Sequence, residues 1–537
     1  MSSDTETTRR KFLHLTATGI TGAVAGGAIR SPAQKAPRAT PSSGASHTVY
    51  DVRSFGAKGD GTTVDTPAID KTIEAVATAG GGTVHFPAGT YLCYTIHLKS
   101  KVALYLDQGT TILAAETGPG GQYDAAEPNQ WDHYQDYGHS HWHNSLILGE
   151  DIHDFSITGP GLIWGKGLSR GTRQGPRAED PGVGNKAISL KNCHHVILRD
   201  FSILHGGHFG ILATGVDNFT VDNLMIDTNR DGIDIDCCRN VRVSNCSVNS
   251  PWDDGICLKS SFGLGYARAT EMVTISDCLL TGSFEEGTLL DGTCKPFPAD
   301  ANIPRNGRIK FGTESNGGFK RITVSNCVFD GCRGLALEAV DGAILEDVTV
   351  TNISMRDIVD GPIFLRLGDR MRGPEGVPVG ALRRVIISNI VCSNAAPNIS
   401  SLFSGLPGHP IEDVKLSNIV IEHRGGGTAA QAALEPPEEE RERYPEPRRF
   451  GDTPSHGFFI RHVKGIEMND VKILVQHEDA RPAYVLEDVR EVDFFRIKTP
   501  KAANVTTFAL KGVEDFKVGQ SNVVPDTHLD KVDNKRL

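Results

Sequence analysis

The chain has 537 residues, 59 of them glycine, with 39% hydrophobic residues and a formal net charge of −11. Such a composition belongs to a folded protein rich in turns, and the acidic balance excludes a general binder of nucleic acid or anionic membrane. The 11 cysteines are odd in number and lack the paired C-x-x-C and H-x-H spacing of a structural metal site. Free buried thiols are expected, and no metal or cofactor.

The chain opens on "TTRRKFLHLTATGITGAVAGGAI". Arg9 and Arg10, then Phe12 and Leu13, precede a short run rich in Gly and Ala, as in a twin-arginine export signal. The run is too short and glycine-rich for a membrane helix. "RSPAQKAPRATPSSGAS" reads as a flexible linker. The expected division is signal and linker over 1–46, a β-rich domain over 47–525 and a tail over 526–537. The mature form is expected as a monomer in the periplasm or outside the cell, free of membrane.

A helix is predicted within "DTPAIDKTIEAV". Asp65 or Thr66 caps it, Pro67 sits at its first position, and Ile69, Ile73 and Val76 form an apolar stripe. "GGTVHFPAGTY" and "KVALYLDQGTTILAA" follow as strand–turn–strand. An insertion over 112–145 then carries "HYQDYGHSHWHN", read as a loop. Its histidines lack the partner spacing of a metal site, and Trp142 or Tyr134 could wall a sugar site.

Beyond it a five-residue phrase recurs: apolar, any, apolar, any, then Asn or Asp. It starts at Phe155, Val196, Phe219, Val241, Val273, Ile322, Val348, Val385, Val414 and Ile466, with degenerate copies at Val492 and Phe516. Alternation with period two is strand-like. A repeat of about 20–50 residues built from short strands means a solenoid. Leucine-rich repeats would need helices between the copies. A propeller would need about twice the basic period, since the tightest spacings are 22, 23 and 26 residues. The expected fold is all-β: a right-handed single-stranded parallel β-helix with a short N-terminal capping helix. Cys246, Cys278 and Cys327 each follow the Asn or Asp and are expected to stack in the core. A second insertion, 424–456, carries the charged run "EPPEEERERYPEPRRFGDTPSHG", read as a solvated loop. Long loops on one face of a solenoid shape its binding site and can close one end of a cleft.

The repeat gives each residue a phase. His208 lies 12 residues after Val196, Asp231 12 after Phe219, and Asp253 12 after Val241. On this count the three stack on consecutive coils about 5 Å apart, with Asp254 alongside. Stacked carboxylates repel, and one is expected to hold a raised pKa, as a general acid requires. Turn formation explains a single Asp more readily than three in one phase beside a histidine.

The stretch "NRDGID", followed one coil later by "DDGI", resembles the N-x-D and D-D motifs of glycoside hydrolase family 28, the polygalacturonase and rhamnogalacturonase group. "YDVRSFGAKGDG" and "GGGTVHFPAGTY" are similar to the family's opening segments. The resemblance implies an inverting hydrolase of pectic poly- or oligosaccharide, of galacturonide or rhamnogalacturonan type. It implies Asp253 as general acid, Asp231 and Asp254 as the carboxylates that activate water, and Asn229 as an orienting residue. Acid and base flanking a sugar with water between them invert its anomeric centre.

Two family motifs are not intact. Where G-H-G is expected the chain has "NGRIKFGTESNGG", and where R-I-K is expected it has "RGLALEAVDG", with Ala336 and Glu338 in place of bases. Those bases hold a substrate carboxylate in the family. Arg308, Lys310, His208 and Arg366 are the expected substitutes, and Glu338 could accept sugar hydroxyls, as suits a neutral or deoxy sugar. Three other readings stay open. One is a lyase or epimerase on the same solenoid, with the Asp cluster on Ca²⁺ and Lys310 as base. The others are a non-catalytic carbohydrate-binding solenoid and a surface adhesin.

Overall fold

Each copy of the phrase is a strand that ends in a left-handed residue. Asn223, Asn245, Asp277, Asn326, Asn352, Asn389, Asn418 and Asp470 have φ between 54° and 58°. Side chains rarely tolerate that region, and Asn and Asp tolerate it best. The phrase therefore spells a strand and the corner that follows it. The degenerate copies obey the same geometry, with Arg496 at φ 53° and Gln520 at φ 52°. By then the neighbouring coil dictates the turn. In this computed structural model the described residues are 48–171, 179–298, 301–438, 444–502 and 504–537. The export signal and linker read over 1–46 lie outside them. Among the described residues no helix is long and apolar enough to cross a membrane.

A coil contributes one strand to each of three parallel sheets. The coil that carries Asp231 comprises Asp231–Asp236, Arg239–Ser244 and Ser247–Asn249. The next comprises Ile256–Ser260, Thr270–Ser276 and Leu279–Thr281. The phrase lies in the second sheet, and its starts form one unbroken column. Phe155, Val196, Phe219, Val241, Val273 and Ile322 pair in register. Val348, Val385, Val414, Ile466, Val492 and Phe516 continue it. All twelve side chains are buried, each stabilising by about 1.5–3 kcal/mol. The architecture is the expected parallel β-helix. Cys246, Cys278 and Cys327 are free and buried, one coil apart in the core.

The helix Thr66–Thr78 covers the first coils with Ile69, Ile73 and Val76 buried. Its capping differs from expectation. Asp65 makes no side-chain cap bond, because its carboxylate accepts the N–H groups of Lys58 and Gly59 at 2.6 and 3.0 Å. Thr66 Oγ1 accepts the Tyr94 N–H. At the other end, the residues read as a tail form the strand Thr527–Arg536, antiparallel to Phe508–Gly519. An antiparallel strand covers an edge that could otherwise template aggregation.

The outer face of the first sheet positions the site. One column there runs Leu148, Ser189, Leu212, Asp234, Cys257, Lys310, Ala336, Phe364, Leu402, Phe459, Val485. It is apolar at both ends and polar in the middle. The 112–145 insertion lays Trp142 over the lower apolar end, against Leu148, Phe209 and Leu212. The 424–456 insertion lays Phe450 over the upper end, against Ala336, Phe364, Leu402 and Phe459. The polar stretch lies between the two plugs.

Candidate active site

Asp231, Asp253 and Asp254 converge: one carboxylate oxygen from each lies within 4.8 Å of the others. The stacking differs from the phase count in one respect. Asp231 pairs with Phe209, and Ile233 with Ile256, which sets Asp254 over Asp231 and Asp253 over Arg230. Thirteen residues separate Val196 from Phe209 and Val241 from Asp254, but only twelve separate Phe219 from Asp231. One turn is a residue shorter, and His208 falls level with Arg230.

The three acids meet three environments. Asp231 is buried, and its Oδ1 has no hydrogen-bond partner among the described residues. Burial, then the charges of Asp234 and Asp253, push it well above the usual carboxylate range. Asp254 is equally buried, and burial alone would raise it. Lys310 and Arg308 outweigh that and hold it below the usual range. Arg308 Nε donates to Asp254 Oδ1 at 3.1 Å, and Lys310 Nζ lies 3.5 Å from Oδ2. Asp253 is the most exposed of the three, its side chain 23% exposed and bound to Arg230 Nη2 at 2.6 Å. The carboxyl pushed upward by its surroundings is thus Asp231, whereas the family motif puts the acid at Asp253.

Several expected sugar contacts are closed by the protein itself. His208 is buried between Tyr137 and Phe209, with Nδ1 on the Arg170 carbonyl at 3.2 Å. Burial, reinforced by Arg230, holds it neutral. Arg308 and Lys310 are each 1% exposed and also bind Glu446 of the upper insertion, Arg308 Nη2 at 2.7 Å and Lys310 Nζ at 3.5 Å. Arg366 donates to Ser404 Oγ at 2.6 Å and lies over the Phe450 ring, so it holds the insertion. Glu338 is fully buried, neither oxygen finds a hydrogen-bond partner among the described residues, and burial pushes it up to about 7 against the pull of Lys310. Asn229 is also buried, its Nδ2 3.4 Å from Glu285 Oε1. Trp142 is a packing residue: it is buried, with Nε1 donating to Thr214 Oγ1 at 3.0 Å.

Other residues at the site escaped the sequence reading. His139 of the lower insertion places Nε2 3.2 Å from Asp234 Oδ2. It shares with Asp231 and Asp234 a second cluster whose ligand-type atoms lie within 4.8 Å. Behind it, Lys259 pairs with Glu314 at 3.1 Å, and Glu314 with Arg372 at 2.9 Å. Arg230 lies inside the motif itself. Trp252, next to Asp253, is 39% exposed and bonds Glu285 through Nε1, offering an aromatic face at the groove. His141 and His143, flagged by the histidine-rich motif, pin the loop on Asp132 and Glu150. The signals were present: a histidine three residues before a buried Trp, and prolines flanking Glu446.

The family model for "Rhamnogalacturonase A/epimerase, pectate lyase-like" matches residues 49–256. A probable polygalacturonase of Vitis vinifera is 22% identical over 400 residues, covering 68% of this chain and 73% of its own. The family 28 exopolygalacturonase of Yersinia enterocolitica shares the fold with TM-score 0.58 and 18% identity, over 83% of this chain and 78% of that one. The hyperthermoactive exopolygalacturonase of Thermotoga maritima does so with TM-score 0.55 and 16% identity, over 91% and 95%. With its paired acidic motifs on adjacent coils of a parallel β-helix, the chain resembles the rhamnogalacturonase and polygalacturonase group and shares the exopolygalacturonase fold.

Proposed function

We propose that the protein is an exported glycosidase that hydrolyses O-glycosidic bonds of pectic poly- or oligosaccharide, of galacturonide or rhamnogalacturonan type, with inversion. The observation that carries this reading is the division of labour among three clustered carboxylates. Asp253 is the one open to the groove and serves as proton donor to the leaving oxygen. Asp254, kept charged by Lys310 and Arg308, is the base that polarises water. Asp231, pushed upward by burial and its acidic neighbours, favours its uncharged form beside Asp254. Asn229, buried beside the trio, orients a carboxylate or sugar, and the exposed Trp252 gives the ring a stacking face.

The oxygens lie closer, within 4.8 Å, than the carboxyl separation of about 6.5–9.5 Å usual for inverting pairs. Burial argues for inversion nonetheless. Asp231 and Asp254 are 3% and 2% exposed. They can reach a water molecule but cannot bond an anomeric carbon in the groove, so a covalent glycosyl intermediate is disfavoured. The plugs at Trp142 and Phe450 bound the groove on both sides, which supports action near a chain end. A lyase reading finds little support in Lys310, since a base must be free, whereas its ammonium is buried among Asp254, Glu446 and Tyr444.

The test is Asp253→Asn. Turnover of pectic oligosaccharides is expected to fall by about 10²–10⁴-fold with an unchanged circular dichroism spectrum. A folded variant with wild-type turnover overturns the assignment.

A further inference from the structure

The upper insertion does more than close the groove. Phe450 anchors it on the apolar end of the outer column, and Tyr444 and Glu446 then reach back over the acids. Glu446 Oε1 accepts Arg308 Nη2 at 2.7 Å and lies 3.5 Å from Lys310 Nζ. Its Oε2 accepts Arg333 Nη1 at 2.8 Å. Tyr444 covers Lys310, with its hydroxyl 2.8 Å from Nζ and its ring centroid at 4.6 Å. Three cations from two adjacent coils thus converge on one carboxylate that the chain itself supplies.

An Arg and Lys cluster beside a catalytic acid is the arrangement that grips a sugar carboxylate, with an Arg fork matching its geometry. Here, among the described residues, these charges are already paired. Arg308 and Lys310 divide between Asp254 and Glu446, and Arg333 between Glu446 and Asp360, the latter at 3.9 Å. On the other wall Arg230 is held by Asp253. A uronate entering against this wall would meet the Glu446 carboxylate already seated on Arg308, Lys310 and Arg333, and like charges at close range repel.

Resting on the hydrolase reading above, we propose that Glu446 is a specificity-determining residue. It fills the carboxylate seat beside Asp254 from within the chain, so that the sugar bound there is uncharged. The substrate class is then a pectic chain in which uronates are interrupted or masked, by alternating neutral sugars or by esterification, rather than bare polyuronate.

Calorimetric titration with trigalacturonate and with its methyl ester tests this, because the two differ in charge while sharing one sugar frame. Wild type is expected to bind the ester at least as tightly as the acid. Glu446→Gln, which keeps the shape and removes the charge, is expected to shift the ratio toward the acid by about tenfold, the effect of one unpaired cation. A wild-type preference for the acid of about tenfold or more overturns the proposal, as does a variant ratio that does not move. If the variant does not fold, the wild-type ratio alone decides. If wild type binds neither form, the seat is not part of a pectic subsite and the proposal falls. Binding is read apart from turnover, so a protein that binds with the expected ratio but cleaves nothing defeats the hydrolase reading and leaves this one standing.

Discussion

Two stacks of polar side chains run up this solenoid, and they behave in opposite ways. At the corner after the second sheet, the Asn352 amide donates to Asn326 at 3.0 Å, Asn389 to Asn352 at 3.1 Å and Asn418 to Asn389 at 2.8 Å. An amide both donates and accepts, so each rung satisfies the next. Carboxylates only accept, so Asp231 beneath Asp254 is frustrated unless something else intervenes. On one rung Arg308 and Lys310 intervene. On the other, burial and the neighbouring acids push the Asp231 carboxyl toward its uncharged form. The same one-coil stacking that builds a structural ladder from Asn sets one raised and one lowered carboxyl side by side from Asp.

The largest effect is expected from disturbing what separates the two acids. Arg308→Met leaves Asp254 and Glu446 buried without their fork, a loss of about 3–5 kcal/mol for a broken buried pair. Asp254 now sits below its usual range, and in the proposed role of base it works while charged. Without Arg308 its pKa rises, and the acid limb of the pH–activity profile is expected to move to higher pH. An acid limb that stays in place contradicts the pairing.

Glu338 offers a smaller and cleaner effect. Its carboxyl rises from 4.5 to about 7 through burial. Its favourable contribution is therefore fully present below the unfolded value and lost as pH rises through about 7. That shift is worth at most about 3 kcal/mol. Glu338→Gln is expected to match wild type in melting temperature at pH 5 and to exceed it at pH 8.5. Equal melting temperatures at both values contradict a buried acid at this position.

The smallest effect belongs to the ladder. Asn389→Ala removes amide bonds and places alanine at φ 55°, costing about 1–2 kcal/mol. The melting temperature is expected to fall while kcat is unchanged. Asn389→Gly keeps the backbone freedom and is expected to lose less.

The contrast also shows where sequence reading reaches. The phrase is local and periodic, so all twelve of its starts could be placed on one strand column. The convergence of Asp231, Asp253 and Asp254 followed from one-coil spacing. Their exact pairing did not, because a turn shortened by one residue leaves no mark in the phrase yet moves Asp231 from the level of Asp253 to that of Asp254. Nor did the fate of Arg308 and Lys310. Their partner Glu446 lies 138 residues from Arg308, in a charged run that is indistinguishable locally from a solvated loop. What brings it back is Phe450 finding Phe364 and Leu402, a long-range packing event.

The most direct test of the acid trio is NMR observation of the first-formed sugar anomer while wild-type protein acts on pectic oligosaccharides. The account predicts a new reducing end with configuration opposite to that of the bond cleaved. Retained configuration, or an unsaturated product in place of a hydrolysed one, would contradict it.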